Sequence, residues 1–364
     1  MNKKGIIFAV VVLASAAALW WLMRSERPAA KAPPSVMPAA AVEQGALPSP
    51  SSEKTAVAVT ATNPPSQIAS GGSRSKEQNA EILASLKGTV DPAKKAEVTA
   101  ALEDLKKQYG YAGALGWDEA KALIARRQQA TKELEARLAG LGPGGAGAIA
   151  ASYTETDDMR GKLMLIHALG GIQDEQASGL LQALLGDESS FSLQREMVAA
   201  LGQRQDAASM DALIGILQSQ TDPQLRFAAA QALNGRADAL PALAQLIQTE
   251  SDPNVEKELI QSAGAIGNNA ALQVVAGIAQ GTLNLDVRET AIQTLGRNFG
   301  AGALSTFTLL LGDPNAVIRQ NVLTALASVH SDDAVSLLQK AAASDSSAQV
   351  REQAQTILSA LPVH

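Results

Sequence analysis

The sequence predicts an all-α protein: a right-handed α-solenoid of stacked helix pairs, preceded by a single transmembrane helix and a disordered linker. Three observations predict it. Segments with one apolar pattern recur through the C-terminal part of the chain, successive copies lying 32, 32, 30, 32, 31 and 32 residues apart, a period typical of stacked helical units. Aromatic residues make up 3% of a chain that is 46% hydrophobic, so Ala, Leu, Ile and Val fill the core and favour close packing of helices over aromatic-rich strand pairs. Residues 5–23 form a run of 19 without a charge, about the length that crosses the hydrocarbon layer of a bilayer.

A short tail, residues 1–4, carries Lys3 and Lys4 and is expected in the cytoplasm. As a helix, residues 5–23 would span roughly 28 Å, with Trp20 and Trp21 at the water–lipid boundary that suits such rings. The competing reading is a cleaved signal peptide that releases a secreted protein. The run is longer than an ordinary signal core, and the small-residue triplet Ala14-Ser15-Ala16 lies inside it. Basic residues flank both ends, so charge alone barely sets the orientation. A short tail before a long body predicts a single-pass protein of a bacterial inner membrane, its body in the periplasm. Zero Cys fits that compartment and removes disulfides, thiolate metal ligands and Cys nucleophiles.

Residues 24–75 are rich in Pro, Ala and Ser, as in Ala32-Pro33-Pro34 and Asn63-Pro64-Pro65. No helical or strand period survives the prolines, so this is a linker with a reach of about 40 Å. Residues 76–154 read as a helical N-terminal region. A short amphipathic stretch covers 76–87. Asp91-Pro92 supplies a cap and a first-position proline for a helix whose stripe is Val98, Leu102, Leu105 and Tyr109. A third begins at Trp117-Asp118, either as a solvated helix or a short coiled-coil element. Segments 117–141 and 146–153 together form a candidate degenerate capping unit.

From 155 to 361 the repeat dominates. Lys162, Gln194, Arg226, Glu256, Arg288, Arg319 and Arg351 occupy one column, and Leu stands seven residues later in six of the seven copies. An apolar stretch follows, as at 180–185 and 213–217, and then an Asp-bearing turn such as Asp222-Pro223, Asp252-Pro253 or Asp313-Pro314. Each unit is thus two amphipathic helices that bury their stripes only by stacking. The pattern Asp-Pro-x-Val-Arg-x-x-Ala-x-x-x-Leu-Gly resembles the HEAT repeat, in the short bacterial variety called phycobilisome-lyase-type. The resemblance implies a structural ladder in which Arg226, Arg288, Arg319 and Arg351 pair with Asp222, Asp252 and Asp313 at the starts of neighbouring units.

The chain's chemistry points away from catalysis. Residues 141–364 carry twelve Lys/Arg against twenty-three Asp/Glu, which leaves no cationic face for phosphates and predicts no nucleic-acid partner. Three His and no His-Glu dipeptide give no support to the hydroxylase branch of HEAT-like enzymes. His167 lies in a column that tolerates polar residues and is expected to be partly exposed. Asp174, Asp206, Asp238 and Asp333 are expected to cap second helices. Gly142-Pro143-Gly144-Gly145 lacks the Lys-Ser/Thr of a phosphate loop and reads as a break. No cofactor or metal is expected.

What remains is surface. In a solenoid of helix pairs the second helices line the concave side, where ligands lie. The residues off their apolar stripe are Gln182, Gln218, Gln245, Gln273, Thr308, Gln339 and Lys340. Glutamine both donates and accepts hydrogen bonds, so the strip suits a peptide backbone or a partner helix. The expected function is a membrane-tethered scaffold or adaptor that binds a partner protein. The alternative is an envelope enzyme or glycan binder built on a pair of carboxylates facing each other across a groove.

Overall fold

Most helices of this chain start where a short polar side chain closes on free backbone N–H groups. Asp91, Asp158, Asp206, Asp222, Asp252, Asn284, Asn315 and Ser331 each accept from an N–H of the helix that follows, and such a cap contributes about 1 kcal/mol. The computed structural model describes residues 75–110, 116–281 and 284–361. The tail 1–4, the anchor 5–23 and, except for Ser75, the linker 24–75 lie outside the described residues. Among the described residues no helix is long and apolar enough to cross a membrane.

Seventeen α-helices are described: α1 Lys76–Thr89, α2 Pro92–Gln108, α3 Trp117–Ala139, α4 Gly145–Glu155, α5 Met159–Gly171, α6 Ala177–Asp187, α7 Phe191–Gln203, α8 Ala207–Ser219, α9 Pro223–Ala232, α10 Leu240–Thr249, α11 Pro253–Ala265, α12 Asn269–Gly281, α13 Leu285–Phe299, α14 Leu304–Leu310, α15 Ala316–Ala327, α16 Asp332–Ser344 and α17 Ala348–Ala360. Short 3-10 turns, Ala237–Ala239 and Gly300–Ala303, precede α10 and α14.

From α3 on, the helices alternate between two layers. The odd-numbered first helices, α3 to α17, pack each on the next. The even-numbered second helices pack directly from α4 to α8 and touch less extensively thereafter. The α3–α4 pair is therefore a unit of the stack, and α3 is its first helix, with Leu134 and Leu138 buried and Ile124 exposed. α2 packs on α3 and α4, where the second helix of a preceding unit would sit. α1 turns away and lies across α4 and α6. Surrounded in this way, α4 is buried from Gly145 through Tyr153, and its Gly- and Ala-rich sequence is what so crowded a position requires. Its entry turn needs Gly142 and Gly144, at φ +69° and +78°, where a side chain would be strained.

The Leu-Gly pair that ends many first helices has a packing cause. Leu169, Leu201, Leu233, Leu295 and Leu326 are at most 1% exposed, and a fully buried Leu contributes roughly 1.5–3 kcal/mol. Leu358 is only half-buried; it lies in α17, the last described helix. The glycine is a crossing point. A Cβ on Gly170 would sit 3.2 Å from Ala200 Cβ, and one on Gly202 2.8 Å from Ala232 Cβ. Gly264 and Gly296 face Thr294 and Ala325 in the same way. Four units thus approach the next through a bare backbone, and Ala327 keeps the position small in a fifth; this close approach is the physical reason for the low aromatic content.

Three of the expected caps are corrected. Asp238 lies inside a 3-10 turn and faces Arg236 at 3.5 Å. Asp333 is already helical, because Ser331 caps α16. Asp174 does not cap α6, whose start at Gln176 has no side-chain cap; it accepts from Gln176 N–H in the turn and from the N–H groups of Gly144 and Ala146 at the start of α4.

Candidate functional site

The residues of the expected strip fall into three groups. Gln218 of α8 and Gln245 of α10 line one groove of about 420 Å³, floored by Leu217 and Leu246. Thr308 of α14 and Lys340 of α16 line a second, of about 470 Å³, with Leu311 and Leu337. Gln273 and Gln339 are exposed on α12 and α16 but border neither groove. Gln182 is half-buried on α6, one helical turn from Gly186, which Asn79 of α1 covers, and borders neither groove. Thr308 differs from the glutamines because its hydroxyl donates to Leu304 O at 2.9 Å. Leu309 beside it is 66% exposed, a large apolar side chain open to solvent on the same helix. A third groove of about 270 Å³, between α10 and α12, is lined by Gln248, Glu256, Gly277 and Gly281.

The arginine column follows a rule that the Asp-Pro motif conceals. Each basic residue stands four positions after a helix cap and pairs with a carboxylate two positions before the next unit's cap. Arg226 meets Glu250 through two bonds, 2.9 and 3.0 Å. Arg319 meets Asp345 at 2.8 and 2.9 Å, Arg288 pairs with Asp313, and Lys162 reaches Glu188 at 3.3 Å. Each carboxylate also accepts the N–H of the cap, as from Ser190, Asp252, Asn315 and Ser347, at 2.8 Å in every case. Asp222 and Asp252, expected in the ladder, are instead caps, because they stand directly before the helix. Asp313 takes part because Asn315 has the capping role there. Arg351 bonds only to Asp345 O, at 2.6 Å.

These carboxylates are strong partners. The Arg319 guanidinium holds Asp345 below the usual range, against the upward push of burial. For Glu250, Asp313 and Glu188, burial is the largest influence and alone would raise the pKa; hydrogen bonds from Arg226, Arg288 and Tyr153 respectively, together with backbone N–H donors and the neighbouring positive charge, outweigh it and lower each. One unit inverts the rule: Glu256 stands in the basic column. Burial, and the Glu250 charge, push its carboxyl up.

Several polar groups escaped the sequence reading. Arg204, 8% exposed, donates to Leu169 O, Ile172 O and Asp174 O of the preceding unit, and to Ser178 and Asp206. Arg236, also 8% exposed, reaches back to Arg204 O. Their signal was present as Arg204-Gln205-Asp206 and Arg236-Ala237-Asp238, one repeat apart. His167 is held between Glu135 at 2.9 Å and Glu196 at 3.4 Å, which links α3, α5 and α7. The hydrogen bond to Glu135 raises its pKa, and that to Glu196 adds to the shift. A groove of about 970 Å³ also runs between α7 and α9, flanked by Phe191, Glu196, Phe227 and Asp252; the sequence reading attended only to second helices.

Among the described residues no three His, Asp or Glu side chains form a group able to hold a metal. The ring nitrogens of His167 face different carboxylates. Glu256 and Glu258, whose pKa values burial raises, stand two residues apart on α11 and so project about 200° apart. They are not a pair facing across a groove.

Comparison with known proteins follows the same lines. Residues 150–234, 234–296 and 278–359 match a family model described as HEAT repeats. No curated protein matches the sequence. Among solved structures, human deoxyhypusine hydroxylase in complex with glycerol is 19% identical, over 73% of this chain and 96% of that one, with a TM-score of 0.31. YibA of Escherichia coli is 13% identical over 79% and 99%, with a TM-score of 0.38. Computationally designed armadillo repeat proteins for modular peptide recognition are 18% identical over 65% and 93%, with a TM-score of 0.17. Superpositions this loose say nothing of what the chain binds or does.

Proposed function

The chain belongs to the HEAT-repeat family, and we propose that it is a scaffold or adaptor that binds a partner protein along its second-helix face and performs no catalysis. The observation that carries this reading is the pairing of Gln218 with Gln245, and of Thr308 with Lys340, in open grooves floored by leucine. Polar groups that donate and accept above an apolar floor match a peptide or helix that brings both backbone and side chains. The carboxylates around these grooves serve as caps and ladder partners, which favours binding over chemistry.

The proposal extends to location. The uncharged run 5–23 anchors the protein in a bacterial inner membrane, and the linker 24–75 carries the body into the periplasm. Tethering raises the local concentration of the solenoid at the membrane, and its acidic body favours basic partners. An alkaline phosphatase fused to the C-terminus is active only outside the cytoplasm, and an inactive fusion would reverse the topology. Affinity purification from crosslinked intact cells should recover one discrete partner with the native chain and lose it with Gln218→Ala/Gln245→Ala/Thr308→Ala. Equal recovery by both would remove the strip from the account.

A further inference from the structure

We propose that the seat of α1 on α4 and α6 is a binding groove for an amphipathic helix of a partner, with α1 as its exchangeable occupant. α1 presents Asn79, Ile82, Leu83 and Leu86 to the layer beneath, the i, i+3, i+4, i+7 spacing by which a helix lies in a groove. Leu86 is 7% exposed and packs near Gly147 of α4. Ile82 and Leu83 are half-buried against the core. At the fourth anchor position stands Asn79, 5% exposed, set over the bare backbone of Gly186. Its Oδ1 has no hydrogen-bond partner.

That amide is the flaw in the fit. A buried carbonyl oxygen without a donor has given up its bond to water and received nothing for it. Against this cost α1 sets one buried leucine and two half-buried residues, and a helix of 14 residues has little stability of its own. α2 is fastened independently through buried Val98, Ala101 and Leu105, and Val90 and Asp91 join the two helices, so α1 can leave without carrying α2 away. A partner helix with an apolar residue where α1 has Asn79 makes the same contacts without the orphaned oxygen. The exchange also uncovers Gly186.

This inference rests on the reading that the second-helix face binds protein, but its test leaves the α8–α16 strip intact, so the two fail separately. The probe is a fluorescein-labelled peptide of residues 75–90 with Asn79→Leu, added to the full chain and followed by anisotropy. It should bind the native chain at a rate that stops rising with peptide concentration, as opening of α1 becomes limiting. Leu86→Ala in the chain should strengthen binding at least tenfold, and Gly186→Val, which fills the seat, should abolish it. Retained amide protection in α13–α17 shows that each variant is folded. Failure of the peptide to bind the folded Leu86→Ala chain would overturn the proposal, as would undiminished binding to Gly186→Val. Amides of α1 that exchange no faster than those of α9–α11 in the native chain would do the same.

Discussion

The second-helix layer differs between its two ends. At the N-terminal end α4 and α6 pack directly, α1 covers them, and no open groove separates them. From α8 onward successive second helices draw apart, and grooves lined by Gln218, Gln245, Thr308 and Lys340 open between them. Both ends carry ladder pairs, Lys162 with Glu188 at the covered end, but the most heavily bonded base differs. At the covered end Arg204 is buried among backbone carbonyls of the preceding unit. At the open end Arg288 and Arg319 pair with Asp313 and Asp345. One repeat pattern thus supports two kinds of surface. The difference lies in what covers the second helices; the first-helix layer continues beneath both.

The largest effect is expected at the covered end. Arg204→Met should cost about 3–5 kcal/mol in denaturant unfolding, because Leu169 O and Ile172 O lose their buried donor and Asp206 loses its base. Hydrogen exchange should then rise first in α5 to α8, and a uniform rise along the chain would merge the two ends into one cooperative unit. At the open end Arg319→Met leaves Asp345 buried without its base, and the loss should be about 3 kcal/mol, confined to α15–α17. Gly264→Val tests the first-helix layer that both ends share. Its Cβ would collide with Thr294, and an overpacked crossing should cost about 1–3 kcal/mol.

Acid should sharpen the contrast. Glu250, Asp313 and Asp345 all titrate below the usual carboxylate range when folded. Their stabilisation is therefore complete above about pH 4 and disappears as pH falls through the depressed folded values. Glu188 and Asp206 are depressed in the same way at the covered end, so urea midpoints should drop between pH 5 and 3 along the whole stack, most steeply in α9–α17, where the Arg-paired carboxylates lie. His167 behaves in the opposite sense. Its raised pKa adds stability that is full below about pH 6.5 and lost as pH rises through the folded value. In this half-exposed group the effect should stay under about 1 kcal/mol, and His167→Gln should flatten the midpoint between pH 6 and 8. The smallest effect on stability, within about 0.5 kcal/mol, is expected for Gln245→Ala, although that residue faces the proposed partner.

The sequence reveals the stack plainly because stacking writes itself at fixed intervals. The buried Leu201 and Leu295 and the crossing glycines Gly202 and Gly264 each fall at one position of the unit. The polar ladder was half legible. Arg226 and Arg319 stand in an obvious column, but Asp222 and Asp252 drew attention as the conspicuous acids of the turn, while Glu250 and Asp345, two residues before a cap, hold the base. Position relative to the cap decides between the two roles, and the cap is fixed only when the helix start is known. The seat of α1 was hidden because that helix lies outside the repeat, and no period predicts where a non-repeating helix will settle. The His167–Glu135–Glu196 contact was hidden for a related reason: it joins three units through residues in different columns.

The central claim is that a protein partner lies on the open part of the second-helix face. Photo-crosslinking side chains placed one at a time at Gln218, Gln245 and Gln273, with Gln293 of the first-helix layer as control, test it most directly in intact cells. The account predicts the same discrete crosslinked protein from all three positions and none from Gln293. Capture from Gln293 alone, or equally from all four, would contradict it.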